Sequence, residues 1–232
     1  MVHSYSVGRI DNAYYILINN TEGTNITTSS INCILAAYGK VGHLDNAFST
    51  YDLFEEKGLV PDSETFSYLL QAIATDMKNT IFPSKNRNEK ENLRTQEYDS
   101  GAQLESAYET ISIMNDFKVS HTSDSIHYLA RILTFSSKLD EAKALIHDAR
   151  EKKITVKLET LRLLLTQYLN SGDITSSNEV CDAMRAVAKD HGFSFENEND
   201  IVPLYLKERL DLLEKDIVAK KSRVDDKIED FS

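Results

Sequence analysis

Five short blocks recur along this chain and leave it few folds to adopt. They are Ile10-Asp11-Asn12-Ala13, Leu44-Asp45-Asn46-Ala47, Leu104-Glu105-Ser106-Ala107, Leu139-Asp140-Glu141-Ala142 and Ile174-Thr175-Ser176-Ser177. Their last residues lie 34, 60, 35 and 35 positions apart. A second series runs beside the first: Ile31/Ile34/Leu35/Tyr38, Phe66/Leu69/Leu70/Ile73, Ile126/Leu129/Ala130/Leu133 and Leu161/Leu164/Leu165/Tyr168, spaced 35, 60 and 35. Each set falls at i, i+3, i+4, i+7, one face of a helix. Both series place one insertion of about 25 residues inside the second full repeat. A fixed period near 35 is the mark of a solenoid. One hairpin cannot bury its apolar face alone, so neighbours stack.

The unit is clearest from Ser30 to Asp62. Two amphipathic helices are joined by Gly39-Lys40-Val41-Gly42 and closed by Gly58-Leu59-Val60-Pro61-Asp62. Small Ala47 lets two helices approach closely. The unit resembles the pentatricopeptide repeat, a helical hairpin, in its P-type form, as in plant organelles. The likeness rests on Asn32 early in the first helix, Lys40-x-Gly42 in the turn, Leu44-Asp45-x-Ala47, and Gly58-x-x-Pro61-Asp62. The rival is the tetratricopeptide repeat, whose 34-residue signature wants a Trp; this chain has none.

The resemblance implies an all-α, right-handed α-solenoid of helix-turn-helix hairpins with a C-terminal capping helix. Its parts are a partial repeat at 1–27 and full repeats at 28–62, 63–122, 123–157 and 158–192, with the insertion at 76–100. Residues 193–232 form the capping helix and a charged tail. Its helix spans Asp200 to Lys221, with Ile201, Leu204, Tyr205, Leu206, Leu210, Leu213 and Ile217 on its apolar side. The first helix of the second repeat spans Ser63 to Thr75, capped by Asp62 or Ser63. The insertion reads as a mobile polar loop whose five acidic and five basic residues cancel.

Ser6 to Ala13 corresponds to Lys40 to Ala47, so the chain opens inside a repeat. An unpaired second helix would expose Ile10, Tyr14 and Leu17. Either a partner covers that face or this is a C-terminal part of a longer protein, any transit peptide lying upstream.

The net charge is −11. Nucleic-acid binders draw most of their affinity from neutralising phosphate, so the balance argues against a free-standing one. No apolar run approaches the length of a membrane span. Cys33 and Cys181 lie 148 positions apart, which fits neither a disulfide framework nor a zinc site. The six histidines have no metal-ligand spacing with them. There is no phosphate-cradling glycine loop, nor the His-x-Glu and Cys-x-x-Cys of a zinc deaminase. No catalytic constellation emerges, and neither a cofactor nor a small-molecule substrate is expected.

The family resemblance implies a reader of single-stranded RNA, one base per repeat. A polar residue near the start of the first helix and the last residue of the repeat would do the reading. A small apolar residue three places before the first reader would sandwich the base. Carried over, the candidates are Asn32 with Asp62, Ser67 with Thr122, His127 with Lys157, and Arg162 with Gly192. Only Asn32/Asp62 matches the family well, as a uridine pair. The sandwiching positions hold Ser29, Glu64, Asp124 and Glu159. Three carboxylates there would repel phosphate and offer a base no apolar surface.

The resemblance thus implies a noncatalytic factor of organellar gene expression in the mitochondrion, or alternatively the plastid. Degenerate readers favour a scaffold for RNA and protein in a ribonucleoprotein such as the mitochondrial ribosome. The alternatives are a sequence-specific factor for transcript processing, stability or translation, and a protein–protein adaptor without RNA contact. Partners would be organellar RNA, ribosomal or transcript, and ribonucleoprotein proteins, with no membrane.

Overall fold

The computed structural model describes residues 2–19, 26–82, 100–190 and 201–215, with the side chains of 2–7 left out. All regular structure among them is helical. The chain divides into two compact units, 1–155 and 156–232. The first contains α1 (Val2–Asn19), α2 (Thr28–Val41), α3 (Leu44–Tyr51), α4 (Leu53–Glu56), α5 (Ser63–Ile81), α6 (Gly101–Asp116), α7 (Ser123–Phe135) and α8 (Leu139–Glu151). The second contains α9 (Leu158–Ser171), α10 (Ile174–Asp190) and a helix at 204–215, α11.

In the first unit α2, α5 and α7 pack in series, and each has a second helix folded back against it. This is the all-α solenoid of hairpins that the period implied. Ile31, Phe66, Ile126 and Leu161, the fourth residues of the four repeats, are all buried. Ala47, Ala107, Ala142 and Ser177, the last residues of the recurring blocks, are each 0% exposed. Any side chain larger than these would force the two helices of a hairpin apart.

The backbone repeats as strictly as the core. Gly58, Lys118 and Lys153 all take positive φ, at 62°, 55° and 59°. Each closes a second helix in the same way. Leu59 donates its amide to the Phe54 carbonyl at 2.8 Å, Val119 to Met114 at 3.0 Å, and Ile154 to Ala149 at 2.8 Å. This six-to-one bond is the Schellman helix stop, with an apolar residue just past the left-handed one. A second left-handed series, Gly42, Ser137 and Gly172, ends the first helices. Lysine is strained in this region and glycine is not. Lys118→Gly and Lys153→Gly should therefore each stabilise the first unit by about 1 kcal/mol. A rise in the urea midpoint with unchanged slope would show it; a fall would mean that the lysine stems pack usefully.

Several boundaries differ from the sequence reading. Helix α5 does not stop at Thr75 but runs to Ile81, so the first six residues of the supposed loop are helical. The reason is local. Where the other first helices meet Gly42, Ser137 or Gly172, α5 has Met77, which is fully buried. The added turn braces α2: Asn79 donates its side-chain amide to the Val41 carbonyl at 3.1 Å. Gln103 of α6 donates to Asp76 at 3.2 Å. The remainder of the insertion, 83–99, lies outside the described residues.

Helix α1 is continuous through Gly8, where a turn was expected. Nor does it expose Ile10, Tyr14 and Leu17. Those three pack, partly buried, against the core beneath α2, and Tyr15 and Ile16 are exposed instead. Asp11 adds a polar tie, accepting from the Tyr38 hydroxyl at 2.7 Å and from Asn46 at 3.0 Å. In the second unit the C-terminal helix begins later than expected, after Pro203. It buries Leu206 and Leu210, while Leu204 and Tyr205 are exposed. Leu206, Leu210 and partly buried Leu213 form an i, i+4, i+7 stripe, and the expected apolar side was drawn too wide. Ile217 lies outside the described residues.

Candidate nucleic-acid interface

The reader positions sit where one repeat passes into the next. The last residue of a repeat is also the N-cap of the following first helix. Thr27, Asp62 and Thr122 are extended, and each side chain accepts from the amide three residues on, that of Ser30, Thr65 or Ser125. The hydroxyls of Ser30, Thr65 and Ser125 in turn reach the amides of the cap residues, completing a reciprocal box. Of the two caps considered for α5, the structure uses Asp62. At the next boundary Lys157 caps α9 without a side-chain bond.

This capping geometry brings two candidate pairs together within the first unit. Asn32 of α2 donates its side-chain amide to Asp62 Oδ1 at 3.0 Å. Ser67 of α5 lies 3.0 Å, hydroxyl to hydroxyl, from Thr122. The two contacts are equivalent, one repeat apart. Each first-helix partner is nearly buried: Asn32 is 3% exposed and Ser67 4%. Ser67 donates its own proton to the Ser63 carbonyl at 2.7 Å. In its contact with Thr122 it is therefore the acceptor, and the threonine proton is spent.

Asp62 is itself exposed. Its partial burial raises the carboxyl pKa. Hydrogen bonds from the Thr65 amide, the Asn32 amide, the Thr65 hydroxyl and the Glu64 amide outweigh that and hold it below the ordinary carboxylate value. Asp62 is thus a clamped anion.

The other candidates are placed differently. His127 is buried in α7, its ring 5.1 Å from that of Tyr128. His127 belongs to the first unit and Lys157 to the second. Arg162 of α9 reaches the Ile201 carbonyl at 3.5 Å, and so is engaged by the C-terminal segment. Its supposed mate Gly192 lies outside the described residues.

The sandwiching positions Ser29, Glu64, Asp124 and Glu159 are all exposed. In the first unit the field of the carboxylates reaches Tyr68. Burial raises its phenol most, followed by Glu64, Cys33, Asp124 and Asp62. The face that carries the reader pairs is accordingly acidic. Among the described residues no group of three or more His, Cys, Asp or Glu side chains could hold a metal ion. No helix among them is long and apolar enough to cross a membrane.

Sequence reasoning missed Thr65, Ser30 and Ser125. A Ser or Thr three places after each repeat's last residue was the available signal, a hydroxyl variant of the capping box.

Comparison with known proteins follows the same lines. The PPR repeat family matches residues 27–75. No curated protein sequence matches the chain. Its structure is similar to that of the pentatricopeptide repeat protein PPR10 in complex with an 18-nt psaJ RNA element, with a TM-score of 0.55 at 15% identity. That match covers 78% of this chain and 23% of the other. A substituted form of the same protein gives the same values. The structure is also similar to the PPR domain of Arabidopsis thaliana protein-only RNase P 1 in complex with tRNA, with a TM-score of 0.53 at 16% identity. Here 84% of this chain and 98% of the other are covered. At such identities the likeness speaks for the fold alone. Residues 27–75 thus match the PPR repeat family, and the chain shares the helical-hairpin solenoid of solved pentatricopeptide repeat proteins.

Proposed function

We propose that this chain is a noncatalytic scaffold of organellar gene expression that holds RNA and protein within a ribonucleoprotein such as the mitochondrial ribosome. The observation that carries this reading is a mismatch within one face. The first unit forms two reader pairs at hydrogen-bond distance, and sets exposed Glu64 and Asp124 beside them. Polar pairs suited to a base are flanked by carboxylates rather than by cations. A strand on such a face needs its charge met by other components of a particle. The solved neighbours of this fold hold RNA, which supports RNA as a ligand here. Localisation in the mitochondrion, with the plastid as the alternative, rests on the organellar habit of the family.

A second reading is a sequence-specific RNA factor, favoured by the well-formed Asn32–Asp62 pair. Titration of the purified chain with a uridine-rich and a mixed-sequence strand separates the two. The expected result is no detectable binding at micromolar protein and physiological salt, with co-sedimentation on ribonucleoprotein particles retained. Nanomolar affinity for one strand overturns the scaffold reading. Absence from particles together with absence of RNA binding leaves the protein–protein adaptor.

A further inference from the structure

Thr65 belongs to the repeat after the Asn32–Asp62 pair, and nothing in the pattern of reader positions assigns it a part. Its side chain is fully buried within a five-group hydrogen-bond network. The Thr65 hydroxyl donates to Asn32 Oδ1 at 2.8 Å and lies 3.0 Å from Asp62 Oδ1. It accepts from the Asp62 amide at 3.0 Å, while its own amide donates to Asp62 Oδ1 at 2.9 Å. Asn32 gives its amide nitrogen to the same Oδ1 at 3.0 Å.

Counting donors and acceptors shows what this achieves. The Asn32 carbonyl is turned inward to the hydroxyl, so its nitrogen must face Asp62. Turned over, the amide would set its oxygen 3.0 Å from a carboxylate oxygen, acceptor against acceptor. Asp62 Oδ1 already takes bonds from Thr65 and Asn32. An ionised carboxylate has acceptor capacity only, and Asn32, 3% exposed, braces it from within. A carboxylate edge of this kind suits a base whose ring nitrogen carries a hydrogen, as in uracil or guanine. It repels the bare ring nitrogens of cytosine and adenine.

We propose that Thr65 is a positioning residue for base selection: its hydroxyl fixes the Asn32 amide, and through it the outward acceptor of Asp62, so that one repeat's preference is set by the next repeat's third residue. The base-selection part rests on the RNA reading above; the positioning part does not.

The test uses isotope-labelled full-length chain and the variants Thr65→Val, which keeps the shape and loses the hydroxyl, and Thr65→Ser, which restores it. Two observations need no RNA. In the wild type the Asn32 side-chain amide should be slow to exchange and Asp62 should titrate below ordinary carboxylates. In Thr65→Val the amide should exchange at least about tenfold faster and the Asp62 titration should move up, with both restored in Thr65→Ser. The third observation is chemical-shift change at Asn32 and Asp62 on adding short oligouridine or oligocytidine at millimolar concentration and low salt. Oligouridine should be preferred by the wild type and by Thr65→Ser, and the preference should fall about fivefold in Thr65→Val.

An unchanged Asn32 amide and Asp62 titration in Thr65→Val overturn the proposal. So does an unchanged base preference. If the wild type shows no base preference at all, the RNA reading fails, and the amide and titration data still decide the role of Thr65. Helical circular dichroism of Thr65→Val, matched to that of Thr65→Ser, confirms that the comparison is between folded chains.

Discussion

Replacing Gly42 with alanine should cost the first unit about 3 kcal/mol, roughly twice the cost of the same change at Gly172. The two glycines hold equivalent places in their hairpins and have nearly the same backbone, with φ of 72° and 76°. The left-handed conformation alone penalises an alanine by about 1–2 kcal/mol. At Gly172 that is the whole cost, because an added Cβ meets nothing within 4 Å. At Gly42 it would stand 2.8 Å from the Asp76 amide nitrogen and 2.9 Å from the Thr75 carbonyl carbon. Both are backbone atoms inside α5 and cannot turn aside as a side chain would. The turn must move off α5, which also strains the bond from Asn79 to the Val41 carbonyl. Thermal unfolding of Gly42→Ala and Gly172→Ala checks the contrast. Equal losses would show that α5 yields at this point.

That contact also marks where the sequence stopped being readable. The period gave the hairpins because each repeat solves the same packing problem with the same residue types. Ile31, Phe66, Ile126 and Leu161 are large and buried; Ala47, Ala107 and Ala142 are small and buried. The turn glycines Gly42, Gly58 and Gly172 could be read as turns because glycine is the residue that needs no excuse for positive φ. Lys118, Ser137 and Lys153 could not, since their strained backbone is imposed by the helix stop around them. Helix α5 was cut short for a related reason. Polar residues follow Thr75, but polarity does not end a helix when no left-handed residue or proline interrupts it and Met77 has a core to enter.

The site was legible in part. Its positions followed from the family resemblance, and the structure brings Asn32 to Asp62 and Ser67 to Thr122. What a single sequence does not disclose is that the last residue of a repeat serves two masters, capping the next helix while meeting the first-helix residue of its own repeat. The hydroxyls that arbitrate between these duties, Thr65 above all, read only as small polar residues on a helix. The placement of Arg162 against Ile201 depended on a C-terminal fold whose apolar side the period left ambiguous.

Truncating Phe66 to alanine should be more damaging still, at about 3–5 kcal/mol. The ring is fully buried in α5 and lies between two second helices. Its centroid is 6.1 Å from that of Tyr51 at the end of α3 and 6.2 Å from that of Phe117 at the end of α6, both tilted. Such aromatic contacts add to the area term. Helix α5 packs against α2, α3, α6 and α7, and so joins the first full repeat to the third. In a solenoid stability is close to a sum of repeat and interface terms. A loss at Phe66 therefore weakens the interfaces on both sides of the second repeat, and the first unit should unfold in a broader transition. Phe66→Leu should cost much less, because Ile31, Ile126 and Leu161 fill the equivalent place in the other repeats. Urea unfolding of the two variants gives the answer. If alanine and leucine cost the same, the ring's aromatic contacts and volume are not what hold the two hairpins together, and the small, deep alanines of the second helices carry that interface instead.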